Sequence, residues 1–236
     1  MCVAMTAAAF SAGVAVAEPR PAVLELYTSE GCSSCPPAET FIAELAQRPD
    51  VLPLSFHVDY WNDLGWRDIF TFADATHRQH VYANSLRASS VYTPQAIVDG
   101  HSAFVGSDRR SILAALTAAR EGVATRIVRN GSQLNVSVGA QPGATTADVL
   151  LIGYLREARS HIGRGENSGR TLQEFNIVRS LARLGIFNGS ARDFSVPLSS
   201  LPQDATHVAV LLQAAGQGVI TGAASLPLKA PPLESQ

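Results

Sequence analysis

The sequence predicts an α/β fold: a parallel βαβ unit, then an antiparallel ββα unit around the same mixed sheet, then a C-terminal antiparallel β domain. Three observations carry this. Strand-like and helix-like runs alternate from Ala22 to Arg120. Asp99-Gly100 stands as a hairpin turn between two short apolar runs. After Gly122 the texture changes to strands joined by turns such as Asn130-Gly131.

Taken in order, Ala22–Tyr27 is a short apolar strand. Pro36–Gln47 carries Phe41, Ile42 and Leu45 at helical spacing, its prolines confined to the first turn, where a missing N–H costs little. Val51–Val58 alternates, with Leu52, Leu54, Phe56 and Val58 on one face. Asp59–Thr71 reads as a long aromatic-rich loop and Asp74–Arg87 as a helix. Gln95–Val98 and Ser102–Val105 flank the Asp99-Gly100 turn. A helix capped by Ser107 or Asp108 runs through Arg120, with Ile112, Leu113 and Leu116 inward, and Gly122 ends it. Thr125–Arg129 and Gln133–Val138 form a hairpin; Val149–Leu155, Phe194–Leu198, Val208–Gln213 and Val219–Ala223 are strands. Thr171–Leu184 carries two signals, a capping box at Thr171–Glu174 and strand alternation at Phe175 and Ile177, and the strand is preferred.

The chain has 236 residues, 46% hydrophobic and 16% charged, which allows one large domain or two modest ones. A net charge of -2 gives no basic footprint for nucleic acid or anionic membrane. Residues 1–17 are uncharged and apolar and end in Ala15-Val16-Ala17, the small-x-small form of a signal-peptidase site, although a basic start is missing. The expected organisation is a signal peptide over 1–17, an α/β domain over 20–122, a β domain over 123–229 and a loose tail over 230–236. Export to the periplasm or beyond follows, with no stable membrane span after cleavage. Cys2 leaves with the signal, so Cys32 and Cys35 remain as an even pair in an oxidising compartment.

Cys32-Ser33-Ser34-Cys35 lies where the first strand gives way to the first helix. A helix start offers unpaired N–H groups and positive dipole potential, which lower a thiol's pKa. Cys32 is therefore expected to be the exposed, attacking thiol, and Cys35, one turn in, to resolve a mixed disulfide. A bridge closing so short a loop constrains the unfolded chain little, which shifts weight from a structural to a redox role. Zinc is not expected, because no further Cys or His set completes four ligands. The six histidines form no constellation: His57, opposite Phe56, reads as a satisfied buried residue. Gly163–Gly169 is Gly-rich without the Lys-Ser/Thr ending of a phosphate loop; it reads as a structured loop contacting the first domain through Arg164, Glu166 or Asn167.

The order of elements resembles the thioredoxin fold, with Cys32–Cys35 at its active-site position. Leu24–Pro37, Phe56–Trp66, Tyr92–Gly100 and Gly165–Arg179 together resemble a group of secreted bacterial thioredoxin-like proteins classed as a domain of unknown function. The resemblance covers nearly the whole mature chain. It implies a thioredoxin-like fold with a C-terminal extension, and supplies no substrate. It also implies that Pro94 is the cis-proline facing the dithiol, with Thr93 and Gln95 beside it offering polar groups to an extended partner. Thioredoxin's buried acid, six residues before its first cysteine, is replaced by Leu26. Its neighbour Glu25 then serves as a proton relay from a shifted register, or the relay is absent. Asp59, after the second strand, either assists Cys35 or caps its loop. Trp61 either lines a groove or packs under the loop.

Three functions fit these residues. The first is an exported thiol–disulfide exchange protein, an oxidoreductase without bound cofactor, acting on a cysteine-containing polypeptide or a small thiol. The second is a non-enzymatic binding or scaffold protein with a structural disulfide. The third is a copper-handling thiol protein.

Overall fold

The structure is a computed structural model and describes residues 18–118 and 120–228; the expected signal segment and tail lie outside the described residues. The first half runs β1 (Glu18–Pro19), β2 (Ala22–Thr28), α1 (Pro36–Leu45), β3 (Val51–His57), α2 (Ala73–Ser85), β4 (Gln95–Val98), β5 (Ser102–Val105) and α3 (Arg109–Leu116). Then follow β6 (Glu121–Gly122), β7 (Thr125–Asn130), β8 (Gln133–Val138) and β9 (Ala147–His161). The chain closes with β10 (Thr171–Phe187), β11 (Arg192–Pro197), β12 (His207–Ala214) and β13 (Ile220–Pro227).

β2 pairs parallel with β3 and antiparallel with β4, and β4 pairs antiparallel with β5, as the first half predicts. β2 is buried along its whole length because both faces are covered. Leu24 and Leu26 pack with Phe41, Ile42 and Leu45 of α1 and Ile112 of α3. On the opposite face Val23 and Tyr27 pack with Leu52, Leu54, Phe56 and α2's Tyr82.

Two expectations change. α3 ends at Leu116 rather than Arg120, and Gly122 is a strand residue paired to Glu18 instead of a helix stop. The second half is also not a sheet laid beside the first. β10, β9, β12 and β13 lengthen the first half's own sheet, giving the order β13-β12-β9-β10-β3-β2-β4-β5, while β11-β8-β7 form a separate antiparallel sheet. The seam is the parallel pairing of β10 with β3 at Ile177 and Ser55. Pro53 of β3 has no N–H to give a neighbouring strand, and its carbonyl accepts at 2.7 Å from the side chain of Asn176, whose backbone lies at φ 50. The ambiguous Thr171–Leu184 stretch is strand because β9 and β3 flank it on both sides. Among the described residues no helix is long and apolar enough to cross a membrane.

Candidate functional site

Cys32 and Cys35 form a disulfide, with their Cα atoms 5.4 Å apart. Cys35 is the N-cap of α1, so Cys32 lies in the turn before the helix and Cys35 at its mouth, one turn earlier than expected. The expected unpaired N–H groups are missing. Pro36 and Pro37 have none, and the N–H groups of Ala38 and Glu39 donate to the Cys35 carbonyl. What remains to steady a thiolate on Cys32 is the helix dipole and the Ser34 hydroxyl, 3.3 Å from the Cys32 sulfur.

The exposed Cys32 expected from the sequence is overturned. Cys32 is 0% exposed and Cys35 1% exposed. The 163–170 segment between β9 and β10 covers the first cysteine. Asn167 Nδ2 donates to the carbonyls of Glu30 and Cys32, at 2.9 and 3.0 Å. Glu166 accepts from the Ser33 hydroxyl at 2.7 Å and from its N–H at 3.2 Å. Contact through this Gly-rich loop is as the sequence suggests, made by Glu166 and Asn167. Gly165, at φ +78, passes against Trp66, where a Cβ would sit 3.2 Å from the Trp66 Cβ.

Cys35 has a different setting. With Ser29, Glu39, Arg170 and Glu174 it lines a cleft of about 230 Å³ between the start of α1 and the start of β10. Glu39 of α1 and Glu174 of β10 belong to a group of buried ionisable side chains that continues behind the cleft with Glu30 after β2, His57 of β3 and Asp68 of the 58–72 connection. Asp68 Oδ2 is 2.7 Å from His57 Nδ1 and accepts from the Glu30 N–H at 2.9 Å; Trp66 Nε1 donates to Glu30 at 2.7 Å. His57 Nε2 is 3.9 Å from Glu174, beyond hydrogen-bond range. Both oxygens of Glu39 and Oε2 of Glu174 have no hydrogen-bond partner.

Burial, with Asp68 nearby, raises Glu30; burial raises Glu39; burial together with the surrounding carboxyls lifts Glu174 to about 9, against the pull of His57. Burial alone would lower His57, but the Asp68 carboxylate, then Glu174 and Glu39, raise it to about 10. His57 is therefore not a simple satisfied core residue. The resulting state is an imidazolium–carboxylate pair backing a protonated Glu174 and a Glu39 whose carboxyl burial pushes toward its protonated form, two acids within the wall that Cys35 shares.

The remaining expected residues have other occupations. Glu25 is locked in a bidentate pair with Arg78 of α2, at 2.7 and 2.8 Å, and accepts from the hydroxyls of Tyr27 and Tyr82. It faces α2 and not the cleft. Asp59 accepts from Thr76 at 2.6 Å, tying its loop to α2. Gln95 is buried and accepts from Gln79, so it is neither solvent-facing nor offered to a partner. Thr93–Pro94 is cis. Trp61 Nε1 donates to Thr93 Oγ1 at 2.8 Å, and a Cβ at Gly31 would lie 3.1 Å from the Trp61 Cβ. Trp61 thus joins the cysteine turn to the proline loop, and its bulk explains glycine before Cys32. Among the described residues no group of three His, Cys, Asp or Glu can hold a metal ion.

The loop contacts give a direct expectation. Removing both Asn167 anchors in Asn167→Ala, each hydrogen bond contributing about 1 kcal/mol, should speed reduction of the disulfide by a bulky phosphine roughly ten- to hundredfold. An unchanged stopped-flow rate means that the loop does not limit access to Cys32.

Fold and site together define an α/β protein with a mixed eight-stranded sheet and a Cys-x-x-Cys disulfide at a helix mouth. The chain belongs to the family described as Protein of unknown function (DUF1223), which matches residues 23–213. A crystal structure of an Agrobacterium tumefaciens protein is similar over 94% of this chain and 100% of that one, with TM-score 0.81 and 32% identity. HBP35 of Porphyromonas gingivalis shares the fold over 92% of this chain and 78% of that one, with TM-score 0.60 and 14% identity. No curated protein gives a significant match.

Proposed function

We propose that this protein is an exported thiol–disulfide exchange protein, with a thioredoxin-like unit over 20–122 and a β extension over 123–229. The observation that carries the reading is the cleft that ends on Cys35 and is walled by Glu39 and Glu174 with unpartnered oxygens. A disulfide that only staples the chain has no use for unpaired buried carboxyls, whose desolvation is costly, and perturbed acids gathered in a cleft mark chemistry.

The geometry favours a small thiol over a polypeptide and reverses the roles expected of the cysteines. A small thiol enters as its thiolate, its proton left in the solvent, and its sulfur attacks Cys35. The Cys32–Cys35 bond breaks, its electron pair leaves on Cys32, and Ser34 is placed to donate to that thiolate. A second thiol attacks the mixed disulfide, so two thiols become one disulfide as the protein gains its dithiol. With few groups to steady a thiolate, the pair belongs at the reducing end of the range, nearer about -270 mV than about -120 mV.

A second reading, the structural disulfide of a scaffold protein, is favoured by the burial of both sulfurs. Equilibration of the purified protein with dithiothreitol and glutathione buffers separates the two. Exchange at a potential above about -300 mV supports the proposal. A lower potential, with no exchange against neutral 2-hydroxyethyl disulfide, overturns it in favour of the staple.

A further inference from the structure

We infer that the cleft receives a low-molecular-weight aminothiol or its disulfide, with the ammonium group on Glu39 and Glu174, a carboxylate where present on Arg170, and the sulfur turned to Cys35. This rests on the exchange reading above and names its substrate class.

Size comes first. A cleft of about 230 Å³ lies below the range of about 300–1,000 Å³ that holds drug-sized ligands, a volume suited to a small thiol. Charge comes second. Glu39 is 5% exposed and Glu174 1% exposed, yet three of their four oxygens have no hydrogen-bond partner. Water does not reach these atoms freely, and Ser55 behind them has an unpartnered hydroxyl of its own. An ammonium carries three donors and, by displacing to solvent the protons that burial holds on these acids, supplies what such acceptors lack. A neutral or anionic thiol leaves them unpaired.

Geometry comes third. Glu39 follows Cys35 by one helical turn on α1, so a group held by its carboxyl lies beside the sulfur. At the rim Arg170 donates to Asn167 Oδ1 through Nη1 at 2.9 Å, and its guanidinium has further donors for a carboxylate. The walls therefore offer the two charges of an amino acid in the order that a cysteine-like molecule presents them.

The experiment is the rate at which the reduced full chain is oxidised by four small disulfides: cystamine (cationic), cystine (zwitterionic), 2-hydroxyethyl disulfide (neutral) and 3,3′-dithiodipropionate (anionic). Cystamine and cystine should react about tenfold faster than the neutral reagent after correction for their intrinsic reactivity with a model thiol, as one charge-assisted hydrogen bond allows. That preference should fall to near unity in the double variant Glu39→Gln, Glu174→Gln. Arg170→Gln should lower the rate with cystine and leave that with cystamine in place.

Equal corrected rates, or a preference that survives in the double variant, overturn the inference while leaving exchange itself standing. Should no disulfide react, the exchange reading fails. The cleft is then judged alone by calorimetry with 2-(methylthio)ethylamine, a thioether that cannot exchange. Binding that disappears in the double variant upholds the ammonium site, and no binding to the parent protein removes it.

Discussion

Arg78→Met should lower the stability of the fold by about 3–5 kcal/mol, because it leaves the Glu25 carboxylate buried without its partner. Arg78 holds both oxygens of Glu25, the Tyr82 hydroxyl at 3.2 Å and the Gln213 side chain at 2.7 Å. These contacts join β2, α2 and β12, so one guanidinium ties the first half to the added strands. Glu25→Gln should cost less, since it leaves a neutral acceptor facing a cation still held by Gln213. The double variant should be more stable than the sum of the two singles predicts, because no orphan charge remains. Urea unfolding of the four proteins measures this. An Arg78→Met loss below about 1 kcal/mol would place the pair among the weakly contributing surface bridges.

Stability should also fall as pH rises from about 5 to 9. In the folded protein His57 holds its proton to about 10 and Glu174 to about 9, whereas the unfolded chain releases them near 6.5 and 4.5. The contribution of His57 is fully present below 6.5 and is lost as pH climbs through its folded value. Glu174 is buried without penalty below 4.5 and opposes folding increasingly up to about 9. Each retained proton tilts stability by up to about 1.4 kcal/mol per pH unit within its window. Glu39 and Glu30, both raised, act in the same direction. Asp68 is lowered despite its burial, held down by His57, so its contribution is lost only on the acid side, as pH falls through its folded value. Chemical unfolding across this range should show the decline, and Glu174→Gln should flatten it. A flat profile in the parent protein would mean that the cluster does not hold its protons as described.

Local chemistry was legible where it depends on neighbours along the chain. The cysteine pair, the prolines that open α1, the Asp99-Gly100 hairpin and the contact through Glu166 and Asn167 are all visible in short stretches. One further signal was there to be used: Glu39 falls between Ala38 and Ile42 on the apolar face of α1, an acid where a hydrophobic residue belongs. His57, in step with Ser55, was assigned to the other face of β3 from Phe56, but nothing beside it names its partners.

By itself the sequence determined where strands and helices begin, which two sulfurs can meet, and which side of β3 is apolar, since period and turn chemistry act over a few residues. Tertiary structure alone decided which cysteine borders a cleft and what else lines it. Glu39 and Glu174 stand 135 positions apart and share one cleft because β10 pairs with β3 at Ile177 and Ser55 and packs against α1. Glu25 and Asp59 are far nearer the cysteines in sequence than Glu174 is, yet the packing of α2 claimed both. Contacts between distant segments depend on register and burial, which leave no mark on spacing.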